Sequence, residues 1–170
     1  QYFTGGRSSL GSSSIGSSDF ESSSSSIDPN AQVIKSMDEF LAFRDEVEHN
    51  KTFIWNLVLD TDLNFTTTKL DHPVGIKSDG TCVPFIGSFD GRNHVVSGLT
   101  LVNSYGAAGF FCGLWRARVA NIVFDASCSV AGDTAGMLCA DADESVVITN
   151  VRSEGRVEGS YYAGGIVGVV

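Results

Sequence analysis

The chain has 170 residues, enough for one domain with a real core, and sets 20 Asp and Glu against 11 Lys and Arg for a net charge of −9. That balance leaves no basic patch to neutralise phosphates, which argues against nucleic acid as a partner, and no apolar run is long enough to insert into a membrane. Nineteen glycines and three prolines favour a turn-rich β architecture over a helical one.

The chain opens at Gln1, as a processed mature terminus would, or simply where the sequence starts. Residues 1–26 contain 12 serines and almost no charge. By composition this is a linker. Against that reading, Leu10, Ile15 and Phe20 recur every five residues, two of them followed by Gly11 and Gly16. Apolar pegs on a polar strip suit docking into a groove, on another copy of the chain for instance. The serines are also acceptors for O-linked sugars. The expected division is a low-complexity arm over 1–33, a capping helix over 34–50 and a β region over 51–170.

The one helix expected lies at about residues 36–49. Ser36-Met37-Asp38-Glu39 is a capping box, in which the Ser hydroxyl takes the Glu39 amide and the Glu39 carboxylate reaches back. Met37, Phe40, Leu41, Arg44 and Val47 share one face, Arg44 through its apolar stem, and Asn50 is a plausible stop. The other face is acidic, with Asp38, Asp45, Glu46 and Glu48. Such a helix is a packing element, a lid on the β region.

After residue 51 the helical period disappears. Thr52–Asp60 is a strand, "DLNF" continues as a second short piece, and a loop of about twenty residues leads to "PFIGSFDGRNHVVSGLTL" (84–101). Here Asp90-Gly91 is a turn former between two strand-like runs. Taken alone the stretch would be one hairpin, but it does not stand alone.

"AGFFCG" (108–113), "AGMLCA" (135–140) and "AGGIVG" (163–168) are one phrase three times, with starts 27 and 28 residues apart. Between them, "VANIVFDASCSVAG" (119–132) and "ITNVRSEGRVEG" (148–159) form a second phrase, of which "HVVSGLTLVN" (94–103) is a looser first version. Short strands and Gly turns at this period make a solenoid whose coils stack about 4.8 Å apart. Phe110, Leu114, Ile122, Phe124, Met137, Ile148, Val151 and Ile166 are expected to point inward. Asn121 and Asn150 fall at equivalent places, either as ordinary turn asparagines or as rungs of an amide ladder.

The four cysteines have no CxxC spacing, which argues against zinc. Cys112 and Cys139 occupy the same place in the repeated phrase, so they are expected side by side and are candidates for a disulfide, leaving Cys82 with Cys128. Asn50-Lys51-Thr52 and Asn64-Phe65-Thr66 are N-glycosylation sequons, so Asn50 and Asn64 should face solvent. Together with the even cysteine count and the acidic balance, they point to an extracellular protein.

The three phrases, with "FIGSFDGRNHVVSGLTL" before them, resemble the GLUG-motif repeats of large surface adhesins and related secreted proteins. "IKSMDEFLAFRDEV", "LVLDTDLNF", "HPVG" and the Phe-Asp-Gly turn resemble, in that order, the region that precedes such repeats, so the resemblance spans about residues 34–168. The chain departs from the pattern at Ala140, where a closing Gly is usual, at Cys112 and Cys139, and in its Ser-rich arm. The resemblance implies an all-β, right-handed parallel β-helix or similar β-solenoid that serves as a surface scaffold. It implies no active site within the repeats.

No catalytic motif stands out. His49, His72 and His94 are isolated, with neither HExxH nor GxSxG. Asp60, Asp62, Asp90, Asp141, Asp143 and Glu144 are the acidic candidates for a glycan-cleaving enzyme. Asp60-Thr61-Asp62-Leu63-Asn64 copies the start of a calcium loop but lacks the Gly and the closing Glu, and the resemblance makes it strand. Trp55, Trp115, Tyr161 and Tyr162 are either a sugar platform or core packing. The expected function is therefore a non-catalytic extracellular structural protein without cofactor or metal, a filament subunit or surface scaffold. The alternatives are a carbohydrate- or host-binding module and, behind it, a glycan-active enzyme. The sequence stops at "AGGIVGVV", inside a repeat phrase, so either the natural chain continues or copies assemble head to tail.

Overall fold

Each strand among the described residues pairs in parallel with strands about one repeat away, and none of these pairings is a hairpin between sequence neighbours. The computed structural model describes residues 28–50 and 53–170, so Leu10, Ile15 and Phe20 lie outside the described residues. Strand β1 (Gln32–Ile34) leads into helix α1 (Met37–His49). Next come β2 (Trp55–Leu59), β3 (Leu63–Asn64), β4 (Phe85–Ser97), β5 (Thr100–Ala108) and β6 (Phe111–Phe124). The chain continues with β7 (Ser129–Gly136), β8 (Cys139–Asp143), β9 (Val147–Ser153), β10 (Arg156–Gly164) and β11 (Val167–Val169). One sheet runs β1-β2-β4-β6-β8-β11, with β3 on β4 and β9 on β6, and a second runs β10-β7-β5. The result is a β-solenoid of about five turns.

The corners are made by residues that accept left-handed backbone. Arg92, Asn93, Asn121 and Asn150 have φ of 47°, 62°, 57° and 52°, and the ladder skips them, resuming at His94, Ile122 and Val151. Asparagine bears this conformation at less strain than most residues. The Asp90-Gly91 turn is therefore a corner inside β4, with Phe89 and Asp90 paired on one side to Leu57 and Val58 and on the other to Val119 and Ala120. At Gly136 a Cβ would lie 2.3 Å from the Cys139 carbonyl oxygen and 2.5 Å from the Gly168 nitrogen, so only glycine lets the next turn approach.

The register confirms the repeat and corrects one detail of it. Ala108, Ala135 and Ala163 stack, as the shared phrase requires. Beyond them the ladder slips by one: Phe111, not Cys112, lies opposite Cys139, and Gly113 lies opposite Asp141. A slip of one residue sends a strand side chain to the other face. The expected Cys112–Cys139 and Cys82–Cys128 pairs are accordingly wrong. The disulfide joins Cys82 to Cys112, with Cα atoms 5.9 Å apart, while Cys128 and Cys139 are free and buried.

Phenylalanine fills the bore. Phe110 packs ring to ring with Phe40, Phe89, Phe111 and Phe124, and Phe85 with Phe43, Phe89 and Phe111. Of the expected inward residues, Phe110, Leu114, Ile122, Phe124 and Met137 are buried, while Ile148, Val151 and Ile166 are partly buried against the same core.

Helix α1 belongs to the same compact unit as the coils, residues 32–170, and so does β1, which was expected within the arm. Ser36 caps the helix by accepting the Glu39 amide at 3.2 Å, and the Glu39 carboxylate reaches past Ser36 to the Lys35 amide at 2.6 Å. Phe43, outside the expected face, is buried with Phe40 and Val47. Phe40 stacks against Phe65 and Phe110, and Phe43 against Trp55 and Phe85, so the helix plugs the bore beside the first rung. Arg44 instead pairs with Asp45 and Asp71. Phe40→Ala should cost about 3–5 kcal/mol by denaturant unfolding, and Ser36→Ala only about 1 kcal/mol. Equal losses would show that the helix contributes through its cap and not through its plug.

Candidate functional site

The densest polar chemistry lies at the corner after β2. The left-handed residues Arg92 and Asn93, set by Asp90 accepting the Arg92 amide at 2.9 Å, turn Arg92 and His94 towards the preceding coil. There Arg92 Nη1 meets Asp60 Oδ1 at 3.3 Å and His94 Nδ1 meets Asp62 Oδ1 at 2.9 Å. The Val95 amide also donates to Asp62 at 2.9 Å. That amide first, and the imidazole second, hold the Asp62 carboxyl below its ordinary value.

From this corner an amide ladder runs across the coils. Asn121 Nδ2 donates to Asp90 Oδ1 at 3.0 Å, and Asn150 Nδ2 donates to Asn121 Oδ1 at 2.8 Å and Asn93 Oδ1 at 3.1 Å. The ladder reading of Asn121 and Asn150 is thus the correct one, and Asp90 is both turn former and first rung. At the next corner along β4 and β6, Ser127 donates its amide to Asp125 Oδ1 at 2.9 Å and accepts the Gly98 amide at 2.7 Å. The Ser127 hydroxyl is the main reason that the Asp125 carboxyl is also held low.

A carboxylate-oriented imidazole such as Asp62–His94 is the basic element of a general base. Among the described residues, however, no further hydrogen bond joins the His94 ring to a nucleophile. The other histidines serve separate contacts: His49 Nδ1 lies 2.7 Å from the Asp45 carbonyl oxygen, and His72 lies between Glu48 at 2.7 Å and Asp71 at 2.8 Å. Glu144 pairs with Arg116 at 2.9 Å and donates its amide to Asp143. Asp141 sits on β8 between Gly113 and Val169, away from these pairs in the ladder. The structure therefore divides the acidic candidates among several contact sets. In the calcium-like string, Leu63–Asn64 is strand, and Asp60 and Asp62 are engaged by the Arg92 guanidinium and the His94 imidazole. Among the described residues no group of three or more His, Cys, Asp or Glu is placed to hold a metal.

Trp55 is buried in the core and cannot join a sugar platform, and Trp115 lies under the Arg116 guanidinium at 4.7 Å. Tyr161 and Tyr162 are exposed, at 78% and 59%. Asn50 and Asn64 are exposed as expected. Asn50 Nδ2 donates to the Glu46 carbonyl at 3.0 Å, and Asn64 Oδ1 accepts the Thr66 amide at 3.0 Å. Two clefts open on the coils, one of about 310 Å³ beside Phe65, Lys69, Gly98 and Ser127, the other of about 270 Å³ beside His72, Ile76, Lys77 and Val102. No helix among the described residues is long and apolar enough to cross a membrane. No family model, no curated protein and no solved structure matches this chain.

Sequence reasoning missed the Cys82–Cys112 bond, although a signal existed. Their separation of 30 equals the offset between the stacked residues Gly87 and Ala117. It also missed the Arg92–Asp60 and His94–Asp62 pairs, which join strands 32 residues apart.

Asn121→Ala should destabilise by about 2 kcal/mol, from an unpaired ladder and a strained left-handed alanine, and Asn121→Gly by less. Chemical unfolding of the pair separates the two contributions. Asp62 and Asp125, held low in the folded state, stabilise it above about pH 4 and lose that contribution as pH falls through their lowered values. Both are largely solvated, so each adds under about 1 kcal/mol. Asp62→Asn should make the acid limb of melting temperature against pH shallower and leave the neutral limb nearly unchanged.

Proposed function

We propose that this chain is a non-catalytic structural β-solenoid of an extracellular surface scaffold or filament, of the GLUG-repeat kind that its phrases resemble. One observation carries the reading. Val119, Ile122, Val130 and Cys139, each flanked by coils on both sides, are no more than 1% exposed. Their counterparts one turn on, Ile148, Val151, Val157 and Val167, are only partly buried. The last coil described thus offers apolar side chains, a parallel strand edge and, at Asn150, the end of an amide ladder. A further rung stacks on such features, whether the same chain or a neighbouring copy supplies it. In this reading the rung comes from a neighbouring copy through its Ser-rich arm, a heterologous contact that propagates. The disulfide fits an oxidising compartment outside the cell.

The exposed pair Tyr161 and Tyr162 favours a second reading, a carbohydrate-binding module that stacks sugars on exposed rings of β10. Native light scattering and electron microscopy of the chain with and without residues 1–26 distinguish these. Assemblies that grow with concentration and disappear on truncation are expected. A monodisperse monomer that binds oligosaccharides, with binding lost in Tyr161→Ala, would replace the filament reading with the second.

A further inference from the structure

The four cysteines divide into two classes. Cys128 and Cys139 are buried thiols outside any disulfide; burial raises the Cys128 thiol and pushes Cys139 up to about 12, so neither offers a thiolate near neutrality. The disulfide, in contrast, is asymmetric: Cys112 lies inside at 1% exposed, while Cys82 is exposed. The loop 75–82 that carries Cys82 is closed on itself, by Lys77 donating its amide to the Thr81 carbonyl at 2.9 Å and Val83 to Gly75 at 2.8 Å. Its flanks are anchored by buried Val74 and Val83, and Val74 exchanges backbone bonds with Phe110 and Cys112 at 2.9 Å each. From Ser78 to Cys82 every residue is exposed. At Gly75, with φ of 96°, a Cβ would stand 2.9 Å from Cys112 Sγ and 2.2 Å from the Val83 carbonyl oxygen, so glycine is required for the bridge to close.

This loop is also one wall of the 270 Å³ cleft. Ile76, Lys77 and Gly80 face Leu101, Val102 and Asn103 of β5 across it. We propose that the Cys82–Cys112 disulfide is a thiol-responsive latch, whose reduction by a dithiol frees the loop 75–82 and opens this cleft while the coils stay stacked. A thiolate of the dithiol attacks the sulfur of Cys82, the exposed residue of the pair, and Cys112 leaves and takes a proton. The second thiol of the reductant then displaces Cys82 as a thiol. The protein disulfide gains two electrons and two protons, and the reductant becomes a cyclic disulfide. The coils keep their ladders and Phe core, neither of which includes the bridge. The proposal is independent of whether copies assemble.

The test is site-resolved trypsin cleavage after Lys77, read by mass spectrometry, with iodoacetamide labelling in parallel. Reduction by dithiothreitol should raise the cleavage rate about tenfold or more, because cleavage follows the population of the open loop. Cys82→Ser, a change at an exposed position, should do the same without reductant. In reduced protein Cys82 and Cys112 should label while Cys128 and Cys139 do not, with the far-ultraviolet circular dichroism unchanged. The proposal is overturned if the Lys77 rate is the same in oxidised, reduced and Cys82→Ser protein. Labelling of Cys128 and Cys139 at the rate of Cys112 overturns it too, since the coils would then have opened as a whole.

Discussion

The structure depends on register between coils. An inward side chain is buried by the residue one turn before it and the residue one turn after it, as Phe111, Cys139 and Val167 illustrate at intervals of 28. Parallel pairing satisfies the backbone, but it fixes no register by itself, because a shift of one residue leaves hydrogen bonds intact and turns the apolar side chains outward. The Phe-filled bore, the small residues that let turns approach and the left-handed asparagines each penalise such a shift. Agreement among them, more than any one contact, selects a single stacking.

How much of this was legible depends on what kind of signal each feature leaves. The repeat was legible because stacking imposes the same residue types at the same place in successive turns: Ala108, Ala135 and Ala163, or Asn121 and Asn150. The slip between Ala108 and Phe111 was not, since "AGFFCG" and "AGMLCA" align without a gap while the backbone takes one more residue to reach Cys139 from Ala135 than to reach Phe111 from Ala108. That single residue turned the cysteine expectation wrong. Phe43 was overlooked although it stands three residues after Phe40 and four before Val47, on the same helical stripe. Strand β1 is three residues long, too short for alternation to reveal, and is defined only by its partner β2.

The charged corner was illegible for another reason. Asp60 and Arg92, or Asp62 and His94, are 32 residues apart, a longer interval than the 27–28 of the later phrases. The first turn has to accommodate the segment from Phe65 to Pro84, and its register is therefore not given by the repeat. Once the coil is closed, Arg92 and His94 fall beside carboxylates of the turn before, and Arg116 beside Glu144 is a further such pair with the carboxylate later in the chain. Such exposed pairs contribute little stability singly. Their value lies in opposing misregister, which would set like charges side by side.

The near-constant interval between stacked residues bears on how such a chain folds. In most β proteins the separation of paired residues grows with topology and slows the search, whereas here every pairing closes a loop of much the same length. Helix α1 forms from local sequence, β1 when it meets β2, and each turn that docks prepares the surface for the one behind it. Folding then resembles the closing of a zip with a fixed tooth spacing. Lengthening such a solenoid adds steps of the same difficulty in place of one harder step.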